Sequence, residues 1–179
     1  MNPQSKGLGY GVRLVAVVLL ALANIGVSAI PAAQSQSPTP DYGTNVASSV
    51  GVAKTREMGF NWVRAYYPEQ AAQAELQGLK ALLLVGWEQE LTDVAAFGDY
   101  VYELVSHYRG QISAYQICNE PNLAEMWHKP KHAEPSEYVG YLREAYYRAK
   151  QADPDCIIVT AGLAINGGAG DAAMDDVAF

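Results

Sequence analysis

The feature that most constrains this chain is a regular alternation of apolar runs with amphipathic stretches, which starts at residue 42 and continues past residue 160. The apolar runs are YGTNVA at 42–47, FNWVRAYY at 60–67, LKALLLVG at 79–86, QISAYQICNE at 111–120 and CIIVTAGLA at 156–164. They are short, rich in β-branched and aromatic residues and bounded by Gly, Pro or polar clusters, so they read as strands. LKALLLVG is apolar almost without interruption, as expected of a strand covered on both faces. The intervening stretches read as helices. One runs from Ser49 to Met58 and stops at Gly59; the next runs from Pro68 to Gln77 and stops at Gly78. Glycine is the residue that best tolerates a helix C-terminus. Thr92 or Asp93 caps a third helix that reaches Tyr108, with Val94, Phe97, Val101, Leu104 and Tyr108 at helical spacing. The segment 121–135, with Trp127 and His128, reads as a long loop. Ser136 caps a further helix to Ala152, with Val139, Leu142, Ala145, Tyr146 and Ala149 on one face.

Strands that alternate strictly with helices build a parallel sheet. Such a sheet is either open and doubly wound or closed into a barrel. The open form usually offers a phosphate-binding loop after its first strand. Here NVASSVG lacks spaced glycines, and no G-x-x-x-x-G-K-[ST] occurs anywhere, so no nucleotide cofactor is expected. The late INGGAG, 165–170, reads as an ordinary loop. The barrel form predicts functional residues at the C-terminal ends of the strands. The conspicuous polar residues fall there: Arg64, Tyr66 and Tyr67 near the end of strand two, Trp87 and Glu88 after strand three, Asn119 and Glu120 ending strand four, and Asn166 after strand five.

Upstream of this domain, Lys6 and Arg13 flank an apolar run from Leu14 to Val27, followed by small residues. That order is the pattern of an export signal, assigned to 1–33. The run is short for a membrane span, which needs about 20 residues, so no stable span is expected once the signal is removed, although an uncleaved anchor is the alternative. QSQSPTP, 34–40, reads as a Ser/Pro-rich tether, and 41–179 as the folded domain. The expected location is therefore outside the cell. A net charge of −7 excludes nucleic acid as the main partner, since phosphate binding needs clustered Lys and Arg. A neutral ligand such as a sugar fits that surface, and the 12 Tyr and 3 Trp supply flat rings to stack on one. Cys118 falls near the end of one strand and Cys156 near the start of the next. In a parallel sheet these are opposite edges, so two free, buried thiols are expected rather than a disulfide. His128 and His132 have no third ligand at credible spacing; they read as surface histidines, and no metal is expected.

The tripeptide Asn119-Glu120-Pro121 at the tip of strand four, with GFNWVRAYY at strand two and CIIVTAGLA at strand five, resembles the clan A glycoside hydrolases, most closely the family 39 and family 5 types. The resemblance covers 41–179. It implies a (β/α)8 TIM barrel, truncated after about the fifth βα unit, and a retaining mechanism. By that resemblance Glu120 is the general acid/base, Asn119 hydrogen-bonds the sugar 2-hydroxyl, and Arg64 helps to position the nucleophile. Trp87 and Trp127 are candidate sugar-stacking platforms by residue type and place, with packing under loops as the alternative. Asn166 is a further candidate for substrate contact. A general acid near neutral pH needs a carboxyl whose proton is held by a partly apolar setting. Glu120 leaves an apolar strand tip, and Pro121 removes a backbone donor and disfavours helix at the residue before it.

A retaining hydrolase also needs a second carboxylate about 5–5.5 Å from the first. The clan supplies it from strand seven, and neither Asp171, Asp175, Asp176 nor Glu88 matches that position. A barrel typically takes about 250 residues. The sequence therefore reads as the N-terminal part of a secreted glycosidase, inactive alone, with its nucleophile elsewhere. The alternatives are a non-catalytic carbohydrate-binding barrel and an unrelated exported α/β domain that binds a small ligand or a protein.

Overall fold

A computed structural model describes residues 41–86, 91, 93–168 and 170–179. The expected signal (1–33) and tether (34–40), together with Trp87, Glu88 and Thr92, lie outside the described residues. Among the described residues, strands β1 (Gly43–Val46), β2 (Trp62–Ala65), β3 (Lys80–Val85), β4 (Ala114–Ile117) and β5 (Ile157–Val159) alternate with helices. Helix α1 is Ser49–Glu57, α2 is Pro68–Leu76, α3 is Val94–His107, α4 is Ala124–Trp127 and α5 is Pro135–Ala152. No helix among them is long and apolar enough to cross a membrane.

The sheet order is β1-β2-β3-β4-β5, with every neighbouring pair parallel. That order decides between the two candidate architectures. A doubly wound sheet reverses direction at a switch point, and this one does not. Crossovers between parallel strands are right-handed in nearly all proteins. Strands added always on the same side then carry every helix onto one face, as in the wall of a (β/α) barrel.

Alternation of side chains along each strand divides the sheet residues. Val63, Ala65, Ala81, Leu83, Val85, Tyr115 and Ile117 are buried under the helices in one core with Val52, Ala71, Ala74, Phe97, Val101, Val105, Ala145 and Ala149. On the opposite face, one register row runs Asn45, Arg64, Leu82, Ala114 and Ile157. The next row toward the strand ends holds Leu84, Gln116 and Val159. Arg64 and Gln116 thus share the helix-free face, one layer apart.

Helices α3 and α5 pack closely beside each other. At Gly98 a β-carbon would lie 2.5 Å from Glu144 Cγ, so the approach of α5 excludes a side chain there. Phe97 meets Tyr141 edge-on, and Tyr141 Oη donates to the carbonyl of Leu91 at 2.9 Å.

Of the two residues expected to cap α3, Asp93 is the cap, its carboxylate accepting from the Ala96 N–H at 2.8 Å. Several other local expectations need correction. Helix α5 is capped two residues before the expected Ser136: Glu134 is its N-cap, without a side-chain bond, and Pro135 sits at the first turn, where its missing N–H is harmless. The segment 121–135 is not all loop, since it contains α4. Strand β4 stops at Ile117, short of the expected residue 120, because Cys118 turns to a positive φ of 62°. His132 is buried, its Nδ1 lying 2.8 Å from the carbonyl of Ala133, and not the surface residue expected. Cys118 and Cys156 are both free and buried, as expected.

Candidate active site

The site is built at the C-terminal ends of β2 and β4. Arg64 reaches across β3 from the helix-free face and spreads its guanidinium over four acceptors. Nε donates to Gln116 Oε1 at 2.9 Å and Nη2 to Asn119 Oδ1 at 2.8 Å. Nη1 makes longer contacts with the Tyr66 hydroxyl, 3.3 Å, and Asn45 Oδ1, 3.5 Å. The guanidinium carbon also lies 5.3 Å from the Tyr66 ring centre, within cation–π range. All these partners are neutral. Among the described residues no carboxylate pairs with Arg64.

The Arg64–Asn119 bond also fixes which way the Asn119 amide faces. An arginine donates only, so the atom it meets must be the amide oxygen. The Nδ2 amino group is then turned away from Arg64 and takes no partner among the described residues. Asn119 thereby presents two N–H donors next to Glu120, which is what a group that grips a hydroxyl oxygen needs.

Asn119 is flanked by two residues with positive φ, Cys118 at 62° and Glu120 at 45°. For residues other than glycine this region costs on the order of 1 kcal/mol or more each. Pro121 disfavours right-handed helix at Glu120, and the residue takes a left-handed turn instead. The reason is local pairing. The Cys118 N–H still donates to Val85 at 2.7 Å, the Glu120 N–H donates to the Gly162 carbonyl at 2.9 Å, and the Leu123 N–H closes back on the Glu120 carbonyl at 2.9 Å. Pro121 sits second in that turn, its favoured place. The strained backbone lifts the Glu120 side chain to the rim, where it is half-buried. No described residue hydrogen-bonds its carboxylate.

Beneath the rim the packing is tight. The Cys118 thiol is buried, which pushes its pKa up to about 12. Gly86, with φ 86°, ends β3 where a β-carbon would lie 3.2 Å from Cys118 Sγ and from the Phe97 ring. Tyr138 of α5 donates to the carbonyl of Ile117 at 3.2 Å and accepts from the Ala161 N–H at 2.6 Å, so one hydroxyl joins the ends of β4 and β5. Burial raises its pKa to about 12, against the opposing effect of the Ala161 hydrogen bond.

Two candidates from the sequence do not join this group. Trp127 is fully buried, edge-on to Tyr138 and Tyr141 at 6.4 and 5.4 Å. Its rings are core, and it offers no face to a sugar. Asn166 organises its own loop: Nδ2 donates to the carbonyls of Ala164 and Met174 at 2.9 and 3.3 Å, and Oδ1 accepts from the Gly168 N–H at 2.7 Å. Both of its donors are engaged, which removes it as a ready substrate ligand. Trp87 lies outside the described residues. Glu120, Asn119 and Arg64 are the three that the fold brings together.

Sequence reasoning passed over Gln116, Asn122 and Tyr138. Gln116 carried a usable signal: a lone amide inside a buried strand must find partners. Asn122 had no such mark, yet it is fully buried, and its amide ties the loop after β4 to the loop after β5 through Ala164 and Met174. Along the same face as Arg64, a groove of about 470 Å³ runs past Asn45, Trp62 and Leu82.

The structural comparisons agree with this architecture. The chain is similar in fold to a family 39 glycoside hydrolase from Bacteroides cellulosilyticus WH2. The TM-score is 0.53 at 16% identity, over 68% of this chain and 32% of that one. It is also similar to a glucosidase from Croceicoccus marinus, with a TM-score of 0.52 at 15% identity, over 70% of this chain and 38% of that one. The shared feature is the fold, a partial (β/α) barrel. The chain spans about a third of the length of these structures. No protein-family model and no curated protein matches the sequence.

Proposed function

We propose that residues 41–179 form the N-terminal part of a secreted retaining glycoside hydrolase that cleaves O-glycosidic bonds in oligo- or polysaccharides. The observation that carries this reading is the Arg64–Asn119 hydrogen bond, which joins β2 to the strained tip of β4 beside Glu120. In this reading Glu120 protonates the departing glycosidic oxygen and later takes a proton from the attacking water. The outward amino group of Asn119 donates to a hydroxyl of the sugar bound in the reacting position. Arg64, a cation with no carboxylate partner among the described residues, receives the nucleophilic carboxylate from a part of the barrel beyond these residues. Export rests on the 1–33 signal pattern. A carbohydrate is the partner, and the mechanism calls for no cofactor.

The test is hydrolysis of a panel of aryl glycosides by the protein expressed from its full reading frame. Glu120→Gln should lower turnover by about 10²–10⁴-fold, the usual contribution of general acid–base catalysis, with Tm unchanged. A verified activity that survives Glu120→Gln sinks the proposal. Sugar binding without turnover would instead favour a carbohydrate-binding barrel.

A further inference from the structure

Gln116 is placed to do more than fill space. It is 6% exposed, on a strand whose other members are apolar or aromatic. A buried side-chain amide is unfavourable unless both of its ends are bonded. Here both are. Oε1 accepts Arg64 Nε–H at 2.9 Å, and Nε2 donates to the carbonyl of Cys118 at 2.9 Å. The two partners admit only one orientation of the amide, because Arg64 cannot accept and a carbonyl cannot donate. Each bond acts on a different part of the site. The first fixes the plane of the Arg64 guanidinium, whose Nη2 in turn sets the facing of the Asn119 amide. The second holds Cys118, one of the two positive-φ residues that lift Asn119 and Glu120 to the rim.

We propose that Gln116 is the positioning residue of this site: one amide orients Arg64, and through it Asn119, while anchoring the strained backbone that presents Glu120. Because Gln116 is neutral, it holds the guanidinium without cancelling its charge, which stays available to an anionic group. A carboxylate here would keep the hydrogen bond but neutralise the cation. The inference rests on the glycosidase reading for its functional meaning. Its structural content stands on the two hydrogen bonds.

The experiment is ¹H–¹⁵N spectroscopy of the 179-residue chain, read at the Arg64 Nε–H resonance and assigned by its loss in Arg64→Lys. In the unsubstituted chain the resonance is expected to be sharp and protected from solvent exchange at pH 7. Gln116→Met keeps the volume and removes both bonds. Exchange at Arg64 Nε–H should then quicken by about tenfold or more, the scale of one lost hydrogen bond to a charged group. Gln116→Glu restores the acceptor and should keep the resonance protected. A resonance unchanged in folded Gln116→Met overturns the proposal, since a packing role alone would not move it. Should that variant not fold, loss of the resonance in Gln116→Glu overturns it. Failure of the glycosidase reading appears separately, as an absence of Glu120-dependent turnover in the full-length protein, and leaves these spectra untouched.

Discussion

Removing the Asn122 side chain should loosen the platform under Glu120, and the structure sets the size of the effect. Asn122 is fully buried. Its Nδ2 donates to Ala164 and Met174 at 2.9 and 3.0 Å, and its Oδ1 accepts from the Ala164 N–H at 3.0 Å. Each neutral hydrogen bond contributes about 0.5–1.5 kcal/mol net. The two carbonyls keep a second donor, Asn166 Nδ2, so only the Ala164 N–H is orphaned in Asn122→Ala. The expected loss is therefore roughly 2–3 kcal/mol, below three full bonds with three orphaned groups. Urea unfolding of the chain would measure it, and amide exchange would show Ala164 and Met174 opening first. Because Asn122 and Asn166 share two acceptors, the double alanine variant should lose more than the sum of the singles. A loss under about 0.5 kcal/mol for Asn122→Ala, or strict additivity with Asn166→Ala, would refute the claim that this amide pins the two loops together.

Other perturbations have equally definite outcomes. Trp127→Ala should destabilise the chain by about 3–5 kcal/mol, as loss of a large buried ring does; a variant of unchanged stability would return Trp127 to the surface. Alkaline pH should weaken the fold between about 9 and 12, because the buried Cys118 and Tyr138 keep their protons to about 12 while the unfolded chain releases them earlier. Folded pKa values raised above the unfolded ones give stability that is full at neutral pH. It is lost at about 1.4 kcal/mol per pH unit for each such group, and Cys118→Ala should make the decline in urea midpoint shallower. An alkylating reagent at pH 8 should leave Cys118 unmodified in the native chain and label it after denaturation; rapid native labelling would contradict the buried thiol.

The repeat of strand and helix was legible because parallel βα units repeat the same burial pattern. LKALLLVG, covered on both faces at its end, and the helix stops at Gly59 and Gly78, both with positive φ, are sequence signals with direct physical causes. The rim asymmetry singled out Arg64, Asn119 and Glu120, which the fold brings close together at the ends of β2 and β4. Residue type alone misled at Trp127 and Asn166. An indole serves a core as well as it serves a sugar, and an asparagine serves its own loop as well as it serves a ligand. Gln116 could have been found, since an amide inside a buried strand needs an explanation. Asn122 could not, because its partners lie 42 and 52 residues away in sequence. The left-handed turns at Cys118 and Glu120 depend on Val85 and Gly162, which local sequence does not reveal.

The central claim is that Glu120 is the acid/base of a retaining glycosidase, and the most direct measurement is chemical rescue of Glu120→Ala in the full-length protein. With an activated aryl glycoside, the first step needs little acid assistance, so a glycosyl-enzyme should accumulate. Added azide needs no general base and should attack that intermediate, which restores turnover and yields a glycosyl azide of retained configuration. Rescue without a glycosyl azide, a product of inverted configuration, or a Glu120→Ala enzyme as active as the unsubstituted one would contradict the account.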